Sequence, residues 1–226
     1  LGLGVSGLAS VRYALLREAE VDVIDTREQP PLLAELSSRY PSATFRQSQL
    51  AEIDCASYEL IVWSPGISIE RGDGLILAQA CARAGVAIVG ELEIFVQAMQ
   101  AVTEQAQERT ARASARSTDL ADEPTDSETA GQPEPARTQL LAVTGTNGKT
   151  TVCSLVAAMA QAVGVDARAI GNIGASMLDA WCDARQAGQM PQIWVLELSS
   201  FQLALARQFD PDIAAILNLT PDHLDW

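Results

Sequence analysis

The chain has 226 residues, 48% of them hydrophobic, enough for one large domain or two ordinary ones with buried cores. Its formal net charge of −14 argues against a nucleic-acid surface or an anionic-membrane surface, so a bound anion must be held by loop amides, helix N-termini and a few placed cations. Those cations are uneven: of the 15 basic residues all but Lys149 are arginines, and His223 is the single histidine.

The chain opens on a Gly-x-Gly-x-x-Gly turn at Gly2, Gly4 and Gly7, with the strand expected ahead of it missing but for its last residue. Then come an apolar helix over 8–19, a strand over 21–25 and a helix over 32–38 introduced by Pro30 and Pro31. A buried strand over 59–63 ends in the turn Ser64-Pro65-Gly66, and a helix over 75–84 is closed by Gly85 before a strand over 86–89. Alternating strands and helices imply a parallel sheet with ligands at the strand C-terminal ends. Residues 1–99 therefore read as a Rossmann-like α/β domain. Residues 100–137 contain no aromatic side chain, are rich in Ala, Thr, Ser, Glu, Gln and Asp, and carry Pro124, Pro133 and Pro135. Such a segment cannot bury enough apolar area to offset the entropy of ordering. It reads as a flexible linker or insertion, helical at most in its first turns, with a regulatory interaction segment as the rival reading.

Residues 138–226 read as an incomplete P-loop-type α/β ATPase domain. A strand over 140–143 leads into a glycine-rich loop and a helix over 149–163. A strand over 167–170, the turn Gly171-Asn172-Ile173-Gly174, a strand over 193–197, a helix and a strand over 213–217 follow. The pattern stops unfinished at Trp226, so the sequence is expected to be truncated at both ends. Cys55, Cys81, Cys153 and Cys182 are widely spaced with no C-x-x-C pair, which suits buried thiols in a reducing compartment better than a zinc site or a disulfide framework. No apolar run approaches the ~18 residues needed to span a bilayer.

The strongest chemical signal is the loop Gly145, Thr146, Asn147, Gly148, Lys149, Thr150 and Thr151. Small residues let loop amides point at phosphate oxygens, and the helix that follows adds its positive end. Lys149 would neutralise β/γ-phosphate charge and the Thr150 hydroxyl would ligate magnesium. The loop departs from the common G-x-x-x-x-G-K-[ST] form because Val143 stands at the first glycine position; an ordinary strand–turn–helix with a chance lysine is the alternative. Glu197 closes an apolar strand, as a second magnesium ligand or as a solvated strand end. His223, beside Asp222, is a structural or solvated histidine or else a metal ligand, and cannot form a zinc site by itself. Asp25 at the end of the second strand suits a ribose hydroxyl, and Arg27 a phosphate or base-side contact. A nicotinamide dehydrogenase is the simplest reading of the glycine turn, but it gives the ATP loop no purpose. A nucleotide-linked substrate in the first unit explains both halves.

Taken together, these residues resemble the muramyl ligases, the ATP-dependent amide-bond ligases of peptidoglycan synthesis. The segments that carry the resemblance are Gly2-Leu-Gly-Val-Ser-Gly7, Asp25-Thr-Arg27, Ser64-Pro-Gly-Ile67, Thr144-Gly-Thr-Asn-Gly-Lys-Thr-Thr151, Gly171-Asn-Ile-Gly174, Glu197-Leu-Ser-Ser-Phe-Gln202 and Asn218-Leu-Thr-Pro-Asp-His223. The Asp25 and Glu197 segments favour the branch that adds D-glutamate to UDP-N-acetylmuramoyl-L-alanine. The resemblance implies that Val5, Ser6, Asp25, Thr26, Arg27, Ser64, Pro65 and Gly66 hold the UDP moiety, and that Asn172 and Ser199 touch substrate or phosphate. It assigns catalytic roles to Lys149, Glu197 and His223, magnesium ligation to Thr150, Glu197 and His223, and ATP binding to the loop from Gly145 to Thr151. It further implies a cytoplasmic, monomeric enzyme using ATP and Mg2+, with small-molecule substrates and no nucleic-acid or membrane partner. Relative to the family, 101–137 looks like an insertion. The chain stops before the family's carbamylated lysine, adenine pocket and C-terminal domain, so it is expected to be inactive alone. The rivals are a P-loop kinase or NTPase acting on a small molecule, and a non-catalytic nucleotide-binding module.

Overall fold

The computed structural model describes residues 1–118 and 137–222, and His223 lies outside them. Helix α1 spans Val5–Leu16 and starts earlier than its apolar pattern suggests, because Gly4 serves as an extended N-cap and Gly7 sits inside the first turn. A Cβ on Gly7 would stand 2.1 Å from the Gly2 carbonyl oxygen, so only glycine lets the helix lie this close to the turn. Then follow β1 (Asp22–Asp25), α2 (Leu33–Arg39), β2 (Thr44–Gln47), β3 (Leu60–Val62), α3 (Gly72–Ala84) and β4 (Ala87–Val89). Strand β2 has no signature in the sequence, since Phe45 alone of its four residues is even partly buried. Gly85 closes α3 in the left-handed conformation, as expected of a C-terminal glycine.

Strand β1 pairs in parallel with β2, and β3 with β4. Residues 1–3 lie between the pairs. The Gly2 amide donates to the Ile24 carbonyl (2.8 Å), the Leu1 ammonium to the Val62 carbonyl (2.6 Å), and Ser64 N to the Leu1 carbonyl (3.1 Å). They thus bridge β1 to β3, and a cavity of about 660 Å³ is lined by residues of both strands.

Helix α4 runs from Glu91 to Thr118, straight through the boundary expected near residue 100. Its first turns are apolar and buried, through Leu92, Phe95, Val96 and Met99. Beyond them the composition rules out a core but not a helix. Ala, Gln, Glu and Arg are strong helix formers, neither glycine nor proline interrupts them, and Glu108 and Arg112 form an i,i+4 pair at 4.0 Å. The first part of the expected linker is therefore helical well past its opening turns, and 119–136 lie outside the described residues.

The second unit comprises β5 (Gln139–Thr144), α5 (Lys149–Ala162), β6 (Ala167–Gly171), α6 (Met177–Ala187), β7 (Ile193–Glu197), α7 (Ser200–Leu203) and β8 (Ile213–Ile216). All pairings are parallel, in the order β6-β7-β5-β8. Helix α6 was not expected; the Ser176 hydroxyl caps it by accepting from Asp179 N, and Gly188 ends it. Strand β7 enters between β5 and β6, and Trp194, Val195 and Leu196 are fully buried, as a central strand covered on both faces requires.

The two units share a core, in which Ala9 of α1, Phe95 of α4, Leu178 of α6 and Leu196 of β7 belong to one cluster. Arg12 pairs with Asp179 (3.2 Å) and Asp183 (2.6 Å), and Tyr13 meets Trp181 edge-on at 5.4 Å. The four cysteines are buried and unpaired, as expected, and no helix among the described residues is long and apolar enough to cross a membrane. Gly7→Ala should force the glycine turn from α1 at a cost of about 1–3 kcal/mol, the usual range for overpacking. Thermal denaturation would show a lowered midpoint; an unchanged one would contradict the close approach.

Candidate nucleotide loop and substrate cleft

The glycine-rich loop leaves β5 at its C-terminal end. The Thr144 hydroxyl donates to the Leu198 carbonyl (2.9 Å), and the chain turns through Gly145 at φ 144°, a conformation other residues rarely adopt. Gly148, at φ 84°, is the N-cap of the 14-residue α5, and no side chain caps that helix. The helix N-terminus is thus left to any anion the loop receives. Lys149 Nζ donates to the carbonyls of Gly145 (2.6 Å) and Thr146 (3.2 Å), lying across its own loop, while Thr150 and Thr151 are exposed in the first turn of α5.

A clasp closes the loop from the neighbouring strand. Thr146 N donates to the Asn218 carbonyl (3.2 Å), Asn147 N to Asn218 Oδ1 (2.9 Å), and Asn218 Nδ2 to the Asn147 carbonyl (2.9 Å). Thr220 N donates to Thr146 Oγ1 (3.1 Å). Asn218 and Thr220 were given no role from the sequence. The available signal was an amide side chain immediately after an apolar strand, at the edge where ligands gather.

Glu197 ends β7 beside the loop, because β7 is the neighbour of β5 with Glu197 opposite Val143. It is 2% exposed. Its Oε1 accepts from Asn172 Nδ2 (2.9 Å), while Oε2 is buried with no hydrogen-bond partner among the described residues. An uncompensated buried carboxylate oxygen is costly, and a cation removes that cost. Glu197 Oε2 and the Thr150 hydroxyl are both oxygen donors, the type magnesium prefers. No cluster of three acidic, histidine or cysteine side chains capable of holding a metal occurs among the described residues.

A cleft of about 330 Å³ lies between the units. Val5, Ser6, Pro65 and Gly66 line it from the first unit, and Asn172 and Ser199 from the second, so six of the ten expected substrate residues converge there. Ser199 is engaged in a capping box with Gln202 at the start of α7. Asp25, Thr26, Arg27 and Ser64 lie outside the cleft. Asp25 is 4% exposed, and its carboxylate accepts from Arg27 Nε (2.8 Å), Arg27 Nη2 (2.7 Å), Arg27 N (2.9 Å) and Leu3 N (2.7 Å). The Arg27 guanidinium chiefly, with these amides, holds the carboxyl well below the usual carboxylate range. Asp25 thereby ties the glycine turn to β1, and Arg27 stands at the surface. Ser64 abuts Gly2, whose Cβ, if present, would stand 2.8 Å from that of Ser64.

Two family models match the chain: the Mur ligase MurD-like N-terminal domain over residues 1–90, and the Mur ligase middle domain over 143–226. The stretch between them, residues 91–142, includes the whole of α4. The UDP-N-acetylmuramoylalanine–D-glutamate ligase of Burkholderia multivorans is 41% identical over 230 residues, covering all of this chain and 39% of that protein. Proteins of the same name from Paraburkholderia phymatum and Aromatoleum aromaticum are 35% and 38% identical, again over the whole chain. The chain spans about two fifths of the length of these relatives, 39–41%.

Glu197→Gln keeps the acceptor for Asn172 but removes the buried charge. The variant's ligand-free melting midpoint should equal or exceed the wild type's. Saturating MgATP should raise the wild-type midpoint, since about 2.7 kcal/mol is gained at a hundredfold excess over Kd, and should leave the variant's nearly unmoved. Equal rises in both proteins would contradict the metal assignment.

Proposed function

This chain belongs to the Mur ligase family, and we propose that the full-length protein is the ATP-dependent ligase that adds D-glutamate to UDP-N-acetylmuramoyl-L-alanine. The observation that carries this reading is a buried, half-satisfied carboxylate at the end of β7, beside the strand that feeds the glycine-rich loop and its lone lysine, and bonded to Asn172, which lines the cleft shared with the Rossmann-like unit.

The first unit would anchor the UDP end of the acceptor through Val5, Ser6, Thr26, Arg27 and Ser64 to Gly66, with Asp25 holding Arg27 and the turn in place. Its alanyl carboxylate would then enter the cleft toward Asn172 and Ser199. Attack of that carboxylate on the γ-phosphate gives an acyl phosphate, from which the amine of D-glutamate displaces phosphate. The first step brings two anions together, so charge neutralisation dominates the barrier. Lys149, which donates to its own loop carbonyls, would swing onto the β/γ-phosphates, and the uncapped N-terminus of α5 would face them. Magnesium on Thr150, Glu197 and His223 would supply the remaining positive charge. Asn172 would hold the Glu197 carboxylate in orientation through Oε1, leaving Oε2 for the cation. A cytoplasmic, monomeric enzyme completes the reading, in keeping with four unpaired thiols and nucleotide-linked substrates.

Lys149→Ala in the full-length protein should cost roughly 3–4 kcal/mol of transition-state stabilisation, by analogy with the loss of one preorganised oxyanion donor. Phosphate release dependent on both UDP-N-acetylmuramoyl-L-alanine and D-glutamate would measure it. Activity within tenfold of wild type would count against the assignment, and ATP consumption without the acceptor would point to a simple NTPase.

A further inference from the structure

We propose that Glu91 is a positioning residue: it ties the two units together beneath the cleft and so sets the spacing between the acceptor and the nucleotide loop. The acceptor's identity in this statement rests on the ligase reading.

Glu91 is the first residue of α4 and follows Gly90, where a Cβ would stand 3.1 Å from the Leu205 side chain; the start of α4 is thus pressed against the second unit. The Glu91 side chain is only 4% exposed. Its Oε1 accepts from Leu178 N (3.0 Å), in the first turn of α6, and Glu91 lines the same cavity of the first unit as Ser6. Ser6 belongs to the glycine turn of the first unit, whereas Ser176 and Leu178 belong to the second. A buried carboxylate on the helix that leaves β4 of the first unit is therefore held by the second, with the positive end of α6 supporting its charge. Burial pushes the Glu91 carboxyl above the usual range, against the pull of the Leu178 amide and with a smaller push from Asp179.

Ser6 and Ser176 both line the cleft. Moving the units apart would strip the Leu178 donor from a carboxylate that water does not reach, so the spacing across the cleft is held stiffly. Two residues on, Glu93 provides a comparison within the same helix. Its Oε2 accepts from Arg207 N (3.0 Å) and Gln208 N (3.2 Å), a similar clamp on the second unit, but none of these residues lines the cleft.

The test uses the full-length protein with Glu91→Ala, Glu91→Gln and Glu93→Ala. It reads KM and kcat for UDP-N-acetylmuramoyl-L-alanine, KM for ATP, and backbone amide exchange. Glu91→Ala should raise the acceptor KM at least tenfold while the ATP KM stays within threefold. Exchange should accelerate both at Leu178 and in the glycine turn. Glu91→Gln, which keeps an acceptor oxygen for Leu178, should recover most of the acceptor affinity, and Glu93→Ala should leave the acceptor KM within threefold. An unchanged acceptor KM in Glu91→Ala, or faster exchange confined to α6, would reduce Glu91 to a helix cap and overturn the proposal. An equal KM rise in Glu93→Ala would overturn it in favour of general loss of stability. If the wild-type protein turned over no muramyl acceptor, the ligase reading would fail, and exchange on the two sides of the cleft would still decide whether Glu91 ties the units.

Discussion

The packing of α1, α4 and α6 into one core is the constraint on which the rest depends. Each unit alone is built of parallel strands, two pairs in the first and a four-stranded sheet in the second, with loops at their C-terminal ends, the ordinary location for a ligand in such a fold. The shared cluster around Phe95, Leu178 and Leu196, with the Arg12 ion pairs and the Tyr13–Trp181 contact, turns those two sets of loops toward a common cleft. A reaction between a carboxylate held by one unit and a phosphate held by the other needs that alignment more than it needs any single catalytic group.

Within the second unit, strand order does similar work. Because β7 inserts between β5 and β6, Glu197 arrives opposite Val143, at the mouth of a loop 52 residues earlier in the chain than itself if counted from Gly145. Asn172 arrives from the end of β6 to bind that carboxylate, and Asn218 arrives from the end of β8 to clasp the loop. Residues at or just beyond four strand ends thus meet around the glycine-rich loop and Glu197 in a chain of net charge −14. An acidic protein can bind nucleotide in this way because amides, one helix terminus and one ammonium act locally.

What the sequence disclosed follows the range of the interactions involved. The glycine loop, the strand before it and the helix after it are set by contiguous residues, and the structure places them within a residue or two of expectation. The end of α3 at Gly85 is equally local. Strand β2 was hidden because its side chains are mostly exposed and carry no apolar alternation. Helix α4 is hidden beyond its first turns because its hydrophobicity is low, whereas helix propensity there acts without a core. The partnership of Asp25 with Leu3 and Arg27, the Asn218 clasp and the hold of α6 on Glu91 depend on residues distant in sequence, and no spacing rule announces them.

The central claim is that a carboxylate is activated as an acyl phosphate between the two units, and oxygen isotope transfer tests it most directly. UDP-N-acetylmuramoyl-L-alanine carrying ¹⁸O in its alanyl carboxylate would be incubated with the full-length protein, MgATP and D-glutamate, and the released phosphate examined by mass spectrometry. The account predicts one ¹⁸O atom delivered to phosphate for each amide bond formed. Unlabelled phosphate accompanying labelled product would contradict it.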